Sequence, residues 1–401
     1  MKGFRKVKLN DITVNLDKIR IPLSSYERSK LEKKYPYYGA QGIIDYVDNF
    51  IFDGEYLLVA EDGENLKSQK NKICNFVSGQ FWVNNHAHIL QANEENDIKY
   101  IYYLLNSINF RPYISGSAQP KLTQDNLNNI ELTIHDLKNQ QKIAKVLSTL
   151  DLKIEHNNRI NTELEAMAKT LYDYWFVQFD FPDVNGKPYK TSGGKMVYNA
   201  ALKREIPEGW ENANVLHVAN LHGGGTPTKV KVEYWNGEIP FFTPSDSDNN
   251  IFSLKTEDYI TDEGLKNSST KLFQKNTVFI TARGSVGRLA LNSVPMAMNQ
   301  SCYALQAKEG ISYTYLFFLA KELIHHLQVK ASGSVFNSIV SRDIEYTSLA
   351  MPESVELIEG YKKIAEPIFE KINLITKENN QLEALRDWLL PMLMNGQISV
   401  K

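Results

Sequence analysis

Few residues in this 401-residue chain stand at spacings that support covalent chemistry. Cys74 and Cys302 occur in no metal or redox spacing and read as buried or free thiols of a reducing compartment. The eight histidines form no H-E-x-x-H or paired Cys/His pattern. His325 and His326 are adjacent on a helical run, where neighbours do not share a face. Gly223-Gly-Gly-Thr-Pro-Thr-Lys229 is glycine-rich, but its spacing and its proline do not fit a phosphate-cradling loop. No strand leads into G-x-G-x-x-G, and the Asn/Asp-Pro-Pro-aromatic tetrapeptide of amino-methyltransferases is absent. Glu32-Lys33-Lys34 matches only the tail of an acidic-x-Lys nuclease motif, a triplet common by chance. No catalytic constellation, cofactor or metal site is expected.

What remains is a set of polar side chains in or beside glycine-containing loops. In the first half these are Tyr37, Gln41, Ser115, Ser117, Gln119 and Lys121. In the second half they are Thr226, Thr228, Lys229, Arg283, Ser332, Ser334 and Asn337. Glycine lets a backbone approach a phosphate closely, and loops carry such groups more readily than strands. Arg suits guanine, and Asn or Gln suits adenine. Ser115-Gly-Ser117, Ser332-Gly-Ser334 and Arg283-Gly-Ser-Val-Gly287 read equally well as plain turns. The run Tyr100, Tyr102, Tyr103 reads as core or interface.

Charge argues against unaided nucleic-acid binding. The net charge is −2, residues 1–140 carry 17 basic and 17 acidic groups, and residues 209–357 carry 12 against 15. Phosphate neutralisation normally supplies most non-specific affinity, so a near-neutral DNA binder must concentrate its cations or borrow them from partners. The N-terminus lacks the apolar core of a secretory signal, and no stretch is suited to span a bilayer. A soluble, cytoplasmic protein is expected.

The elements behind these loops occur twice. Ser115-Gly-Ser117 and Ser332-Gly-Ser334 stand 217 residues apart, and at that offset Leu127, Leu132 and Ile134 fall on Ile344, Leu349 and Met351. At an offset of 218, Asn161–Met167 overlies Asn379–Leu385, and Tyr56–Ala60 parallels Thr277–Thr281. Each copy runs through short β-type segments, then a short helix (Ile98–Asn106, Tyr313–Val329), then one long helix. Between the copies, 179–208 reads as a connector whose aromatics pin it to a surface.

In the first long helix the apolar stripe includes Ile143, Val146, Leu147, Leu150, Ile154, Leu164, Met167 and Leu171. The second carries Ile364, Ile368, Ile372, Ile375, Leu382, Leu385 and Leu389, with Asn161 and Asn379 at matched positions. Steps of three and four predict a heptad seam joining the two helices. We expect Leu150, Ile154, Asn161, Leu164 and Leu171 to face Ile368, Ile372, Ile375, Asn379, Leu382 and Leu389, with the asparagines fixing register. A helix from Val146 to Phe176 would be roughly 45 Å long. Antiparallel pairing would hold two heads at opposite ends, a ruler for half-sites one DNA turn apart, roughly 34–36 Å. Trp175, Phe176, Trp388, Leu389 and Leu390 exceed what such a seam can bury and are expected to meet partner subunits or close onto the heads.

Together these stretches resemble the specificity subunit of type I restriction–modification systems over essentially the whole chain. The resemblance is carried by Tyr35-Pro-Tyr-Tyr-Gly-Ala-Gln-Gly42 with 52–63, and by Gly224-Gly-Thr-Pro227 and Tyr234-Trp-Asn-Gly237. Ile239-Pro240, Arg283–Gly287, Asn299-Gln-Ser301, Arg204–Trp210 and Leu382–Pro391 complete it. The resemblance implies an α+β architecture with a pseudo-two-fold internal repeat, in which two similar recognition domains are separated by two long helices in an antiparallel coiled coil. The expected segments are a first recognition domain at 1–140, a spacer helix at 141–178 and a connector at 179–208, followed by a second recognition domain at 209–357 and a second spacer helix at 358–401. It also implies a bipartite double-stranded DNA target, two methyltransferase (modification) subunits and restriction subunits with translocase and nuclease activity. Those chains would carry the chemistry and much of the phosphate contact, leaving base contacts here. A recognition subunit of a methyltransferase-only system, a non-enzymatic scaffold and a single-chain restriction–methylation enzyme are the alternatives. The missing motifs oppose the last.

Overall fold

A computed structural model describes residues 4–68, 72–116, 120–247, 250–331 and 337–400. The chain divides into two compact units, one formed by Met1–Glu155 with Gln381–Lys401 and the other by His156–Asn380.

The first unit is built on a six-stranded sheet. Its strand order is Thr13–Asn15, Ala87–Ala92, Phe52–Ala60, Cys74–Val83, Tyr35–Gly39 and Gly42–Val47. All neighbours are antiparallel except Tyr35–Gly39 and Cys74–Val83, where Tyr37 pairs with Trp82 in parallel. One face of the sheet buries Leu57, Val59 and Leu90 with Tyr100, Ile101, Leu104 and Leu105 of the helix Ile98–Ser107. Asp97 caps that helix, its carboxylate accepting from the Tyr100 N–H at 2.8 Å. A separate ribbon pairs Phe4–Lys8 with Glu131–His135. The same core takes Ile143, Ala144 and Leu147 from one long helix and Leu393 and Met394 from the end of the other. Of the tyrosine run, Tyr100 and Tyr103 are buried, the Tyr103 hydroxyl donating to Asp151 at 2.5 Å, and Tyr102 is half-buried beside Lys72.

The second unit repeats the plan with its sheet split. Five strands run Ala219–Gly223, Cys302–Ala307, Val278–Thr281, Leu289–Asn292 and Phe252–Ser253. Three more run Asp258–Ile260, Trp235–Phe242 and Ala297–Met298, the last pair parallel. The helix Tyr313–Lys330 buries Tyr315, Leu316, Phe317, Phe318 and Leu319 beneath the larger sheet. Trp210–Ala213 pairs with Leu349–Pro352 as Phe4–Lys8 does with Glu131–His135. The connector is held by its aromatics, Phe181 stacking on Tyr189 at 4.7 Å and on Trp210 at 5.8 Å.

The long helices span Leu137–Tyr172 and Val355–Met394. The first starts four residues before the expected 141 because Asp136 accepts the Asn139 N–H at 2.9 Å as an N-cap. It leaves through a π-helical turn, Asp173–Val177, that buries Trp175 and Phe176. Within the second unit the two helices meet antiparallel. Asn157 Nδ2 donates to Asn379 Oδ1 at 2.8 Å, Asn161 to Thr376 Oγ1 at 3.3 Å, and the Tyr172 and Tyr361 rings lie 6.2 Å apart. Asn379 Nδ2 donates to Asn158 Oδ1 at 2.8 Å, the repeat-related counterpart of the Asn161–Thr376 bond. In the first unit, Arg386 reaches Asp151 at 2.7 Å in the same antiparallel sense.

The helix faces differ from a uniform heptad seam. Met167, Ile364 and Leu385 are exposed, whereas Asn157, Ala168, Tyr172, Tyr361, Ala365 and Phe369 are buried. The steps of four at 168–172 and 361–365–369 belong to a stripe lying on a domain core, because these segments cover the second unit's interior. Asn161 bonds to Thr376 and not to Asn379: in an antiparallel pair, equivalent positions meet only at the pseudo-two-fold axis, and Asn157 is the buried partner of Asn379. Leu150, Leu164, Leu171, Ile368, Leu382 and Leu389 are half-buried, and Ile154, Ile372 and Ile375 are buried. Trp175 and Phe176 close onto the second unit's core, whereas Trp388 remains 57% exposed.

Candidate nucleic-acid interface

In both units the central strands end at a corner built by the same hydrogen bonds. In the first unit, the Asn84 N–H donates to the Tyr38 carbonyl, the Glu61 N–H to His86 and the Leu122 N–H to Glu61, each at 2.9 Å. In the second, Asn299 donates to Phe242 at 2.9 Å, Ala282 to Ser301 at 2.8 Å and Ile339 to Ala282 at 2.9 Å. The side chains of Asn84 and Asn299 each accept from the N–H two residues on, at 2.8 and 3.0 Å. These bonds equate Tyr38 with Phe242, Glu61 with Ala282, Asn84 with Asn299, His86 with Ser301 and Leu122 with Ile339. The loops they tie together are those in which the sequence places most of its polar tips.

The first corner is held by charge. Glu61 accepts from Arg20 at 2.9 Å and pairs with Lys121 at 2.9 Å. Behind it, buried His88 lies between the Asp17 carboxylate, 2.5 Å from Nδ1, and the Leu122 carbonyl, 2.8 Å from Nε2. Both partners present acceptor oxygens, so each ring nitrogen faces a group it can donate to. Burial alone would raise the Asp17 carboxyl, but the His88 hydrogen bond and charge, the Ile89 N–H and Arg20 together bring it below its ordinary value. Glu61 is likewise lowered: burial opposes ionisation, and Lys121, Arg20 and His88 outweigh it. The Glu61 hydrogen bond raises the Lys121 amine. Each charge at this corner is therefore fixed and partnered.

The second corner uses close backbone approach. Gly224 and Gly225 donate to the carbonyls of Cys302 at 3.2 Å and Met298 at 3.1 Å. A Cβ on Gly224 would lie 1.9 Å from the Asn299 carbonyl oxygen, so no other residue fits without displacing the 298–302 turn. Thr226, just beyond, donates to the Gln300 side chain.

The predicted contact residues fall into three groups. Gln41, Ser115 and Lys121 gather at the first corner: Gln41 occupies the turn beside Gly63, and Ser115 bridges to Lys121 with backbone bonds of 2.8 and 2.9 Å. Thr226 and Arg283 lie at the second, and exposed Asn337 stands two residues before Ile339, whose N–H bonds to Ala282 beside the exposed Arg283. Thr228 and Lys229 stand aside at Trp235, whose Nε1 donates to the Thr228 carbonyl at 3.2 Å. Tyr37 is a correction. It is fully buried, its hydroxyl accepts from the Leu23 N–H at 2.9 Å, and Arg28 covers its ring, so it cannot reach a groove. Strand alternation turns it inward. Ser117, Gln119, Ser332 and Ser334 lie outside the described residues.

Residues 1–166 and 207–384 match the family model described as the type I restriction modification DNA specificity domain, once in each half of the repeat. The chain belongs to this family. Among curated relatives, the type I restriction enzyme MjaIX specificity subunit of Methanocaldococcus jannaschii is 28% identical over 315 residues, covering 76% of this chain and 69% of its own. The HindI specificity subunit of Haemophilus influenzae is 26% identical over 403 residues, covering 86% and 84%. The crystal structure of a type I restriction–modification S subunit from M. genitalium shares the fold, with a TM-score of 0.62, 17% identity and coverage of 98% and 96%.

For a type I specificity subunit, the reading of the sequence missed Arg20, Glu61, Asp62, His86 and His88. They are scattered over 69 positions of sequence and share no motif. The usable signal was the repeat itself, since aligning Tyr56–Ala60 with Thr277–Thr281 sets Glu61-Asp62-Gly63 against Ala282-Arg283-Gly284. Among the described residues no group of His, Cys, Asp or Glu could hold a metal ion, and no helix is long and apolar enough to cross a membrane.

Proposed function

We propose that this type I specificity subunit reads a bipartite double-stranded DNA target in the cytoplasm, one half-site by each unit's loop corner. The observation that carries this reading is the duplicated corner, built by the same hydrogen bonds but lined by different side chains. A shared frame with different tips is what two unlike half-sites require. Gln41, Ser115, Ser117, Gln119 and Lys121 in the first domain, and Thr226, Arg283, Ser332, Ser334 and Asn337 in the second, are the proposed contacts. Exposed surface such as Trp388 receives two modification subunits, with restriction subunits added to that core. Methyl transfer and cleavage belong to those chains. Near-neutral net charge supports this division, because partners wrapping the duplex supply the phosphate contacts.

The test is to map methylated bases in DNA from cells co-expressing this chain with its modification subunit. A split motif is expected, with one half changing when 209–357 is exchanged for the matching segment of another specificity subunit. Methylation at an undivided motif, or a motif unchanged by the exchange, refutes the reading.

A further inference from the structure

The equivalences at the two corners isolate one position where the frame is constant and the chemistry is inverted. Asp62 follows Glu61 and precedes Gly63, and Arg283 follows Ala282 and precedes Gly284. Both glycines take the left-handed backbone, with φ of 99° and 83°. The preceding N–H bonds, Glu61 to His86 and Ala282 to Ser301, place Asp62 and Arg283 at one site of the repeat. Each turn faces the neighbouring loop in the same way: a Cβ on Gly63 would lie 3.7 Å from Gln41 Nε2, and one on Gly284 would lie 3.3 Å from Pro244 Cβ.

The side chains differ in sign. The Asp62 carboxylate holds His86 Nδ1 at 2.7 Å, with side-chain exposures of 26% and 51%. Arg283 is exposed and makes no side-chain hydrogen bond among the described residues. A structural role for the acidic residue is hard to sustain, because the second unit builds the same corner with Ala282, Arg283 and Ser301 where the first has Glu61, Asp62 and His86. Beside Asp62, Glu61 is already neutralised by Arg20 and Lys121, so the acidic tip does not make the corner repel a phosphate backbone as a whole.

We propose that this position reads a base in each recognition domain, Asp62 steadied by His86 in the first and Arg283 in the second. The inference rests on the bipartite reading above. A carboxylate only accepts and selects the cytosine N4 amino group, whereas the guanidinium fork matches O6 and N7 of guanine. The two half-sites thus differ at equivalent places because one frame carries opposite hydrogen-bonding polarity. His86 is a positioning residue, fixing the carboxylate's rotamer through Nδ1.

The experiment is sequence selection from a randomised duplex library by the full chain in complex with its modification subunits. Wild type is compared with Asp62→Asn, His86→Ala, Arg283→Lys and Arg283→Ala. Asp62→Asn keeps the shape and the His86 contact but adds a donor, so preference at one position of one half-site shifts from cytosine towards adenine. His86→Ala blurs that same position. Arg283→Ala loses about 10- to 100-fold discrimination for guanine at one position of the other half-site, and Arg283→Lys recovers part of it. The untouched half-site reports folding in each case. Unchanged motifs in all variants sink this inference alone. So does a uniform loss of affinity across sequences with the salt slope reduced by about 1, which would mark a phosphate contact. A wild-type complex that selects no split motif removes the bipartite reading and this inference with it.

Discussion

Replacing His88 by Leu tests whether buried charge holds the first corner. His88 is 1% exposed and bridges Asp17 to the Leu122 carbonyl. The substitution removes both hydrogen bonds, strands a buried carbonyl and leaves Asp17 with Arg20 at 3.4 Å and the Ile89 N–H at 2.9 Å. An unsatisfied buried acceptor costs about 1–3 kcal/mol, and breaking a buried charge pair from one side costs about 3–5 kcal/mol. Arg20 retains part of the Asp17 charge balance, so about 3–4 kcal/mol is expected for the first unit. The double variant Asp17→Leu/His88→Leu also removes the carboxylate that His88 faced, so its cost should fall short of the sum of the two single variants, with a coupling energy of about 2 kcal/mol. The assay is hydrogen exchange on the full chain, following the Leu122 and Ile89 amides in the first unit and Leu305 in the second, because a two-unit chain need not unfold in one step. Leu122 should lose protection in His88→Leu while Leu305 keeps it. A cost under about 1 kcal/mol, or single-variant losses that simply add in the double variant, refutes His88 as the clamp between Asp17 and Leu122.

The same corner should be acid-sensitive. The Asp17 and Glu61 carboxyls are lowered in the folded state, so their contribution is complete above the ordinary carboxylate range near 4 and is lost as pH falls through their folded values. Urea titrations of the first unit between pH 3 and 7 should show stability falling at the acid end, less steeply in Asp17→Asn; parallel profiles contradict this. On the helices, Asn157→Leu should cost about 1–3 kcal/mol because it leaves Asn379 short of its buried partner. Asn157→Leu/Asn379→Leu should recover that loss in thermal melts, and failure to recover would show that the asparagines act otherwise than as a matched pair.

The local chain carries a good deal of this protein. The repeat, the helices near Ile98–Asn106 and Tyr313–Val329 and the long apolar stripes follow from side-chain period, which is a property of consecutive residues. The absent enzyme motifs and the glycine-tipped loops were legible for the same reason. Tertiary structure alone decided which tips reach a surface and which carry charge partners. Tyr37 was chosen for its loop-like surroundings, but strand alternation and the Leu23 segment bury it. Met167 and Ala168 are both compatible with a helical stripe, and the second unit's core selects the alanine. Asp17, Arg20, Glu61, His88 and Lys121 become one network only when strands from distant segments pair, because a buried charge depends on what surrounds it in space and not on its neighbours in sequence.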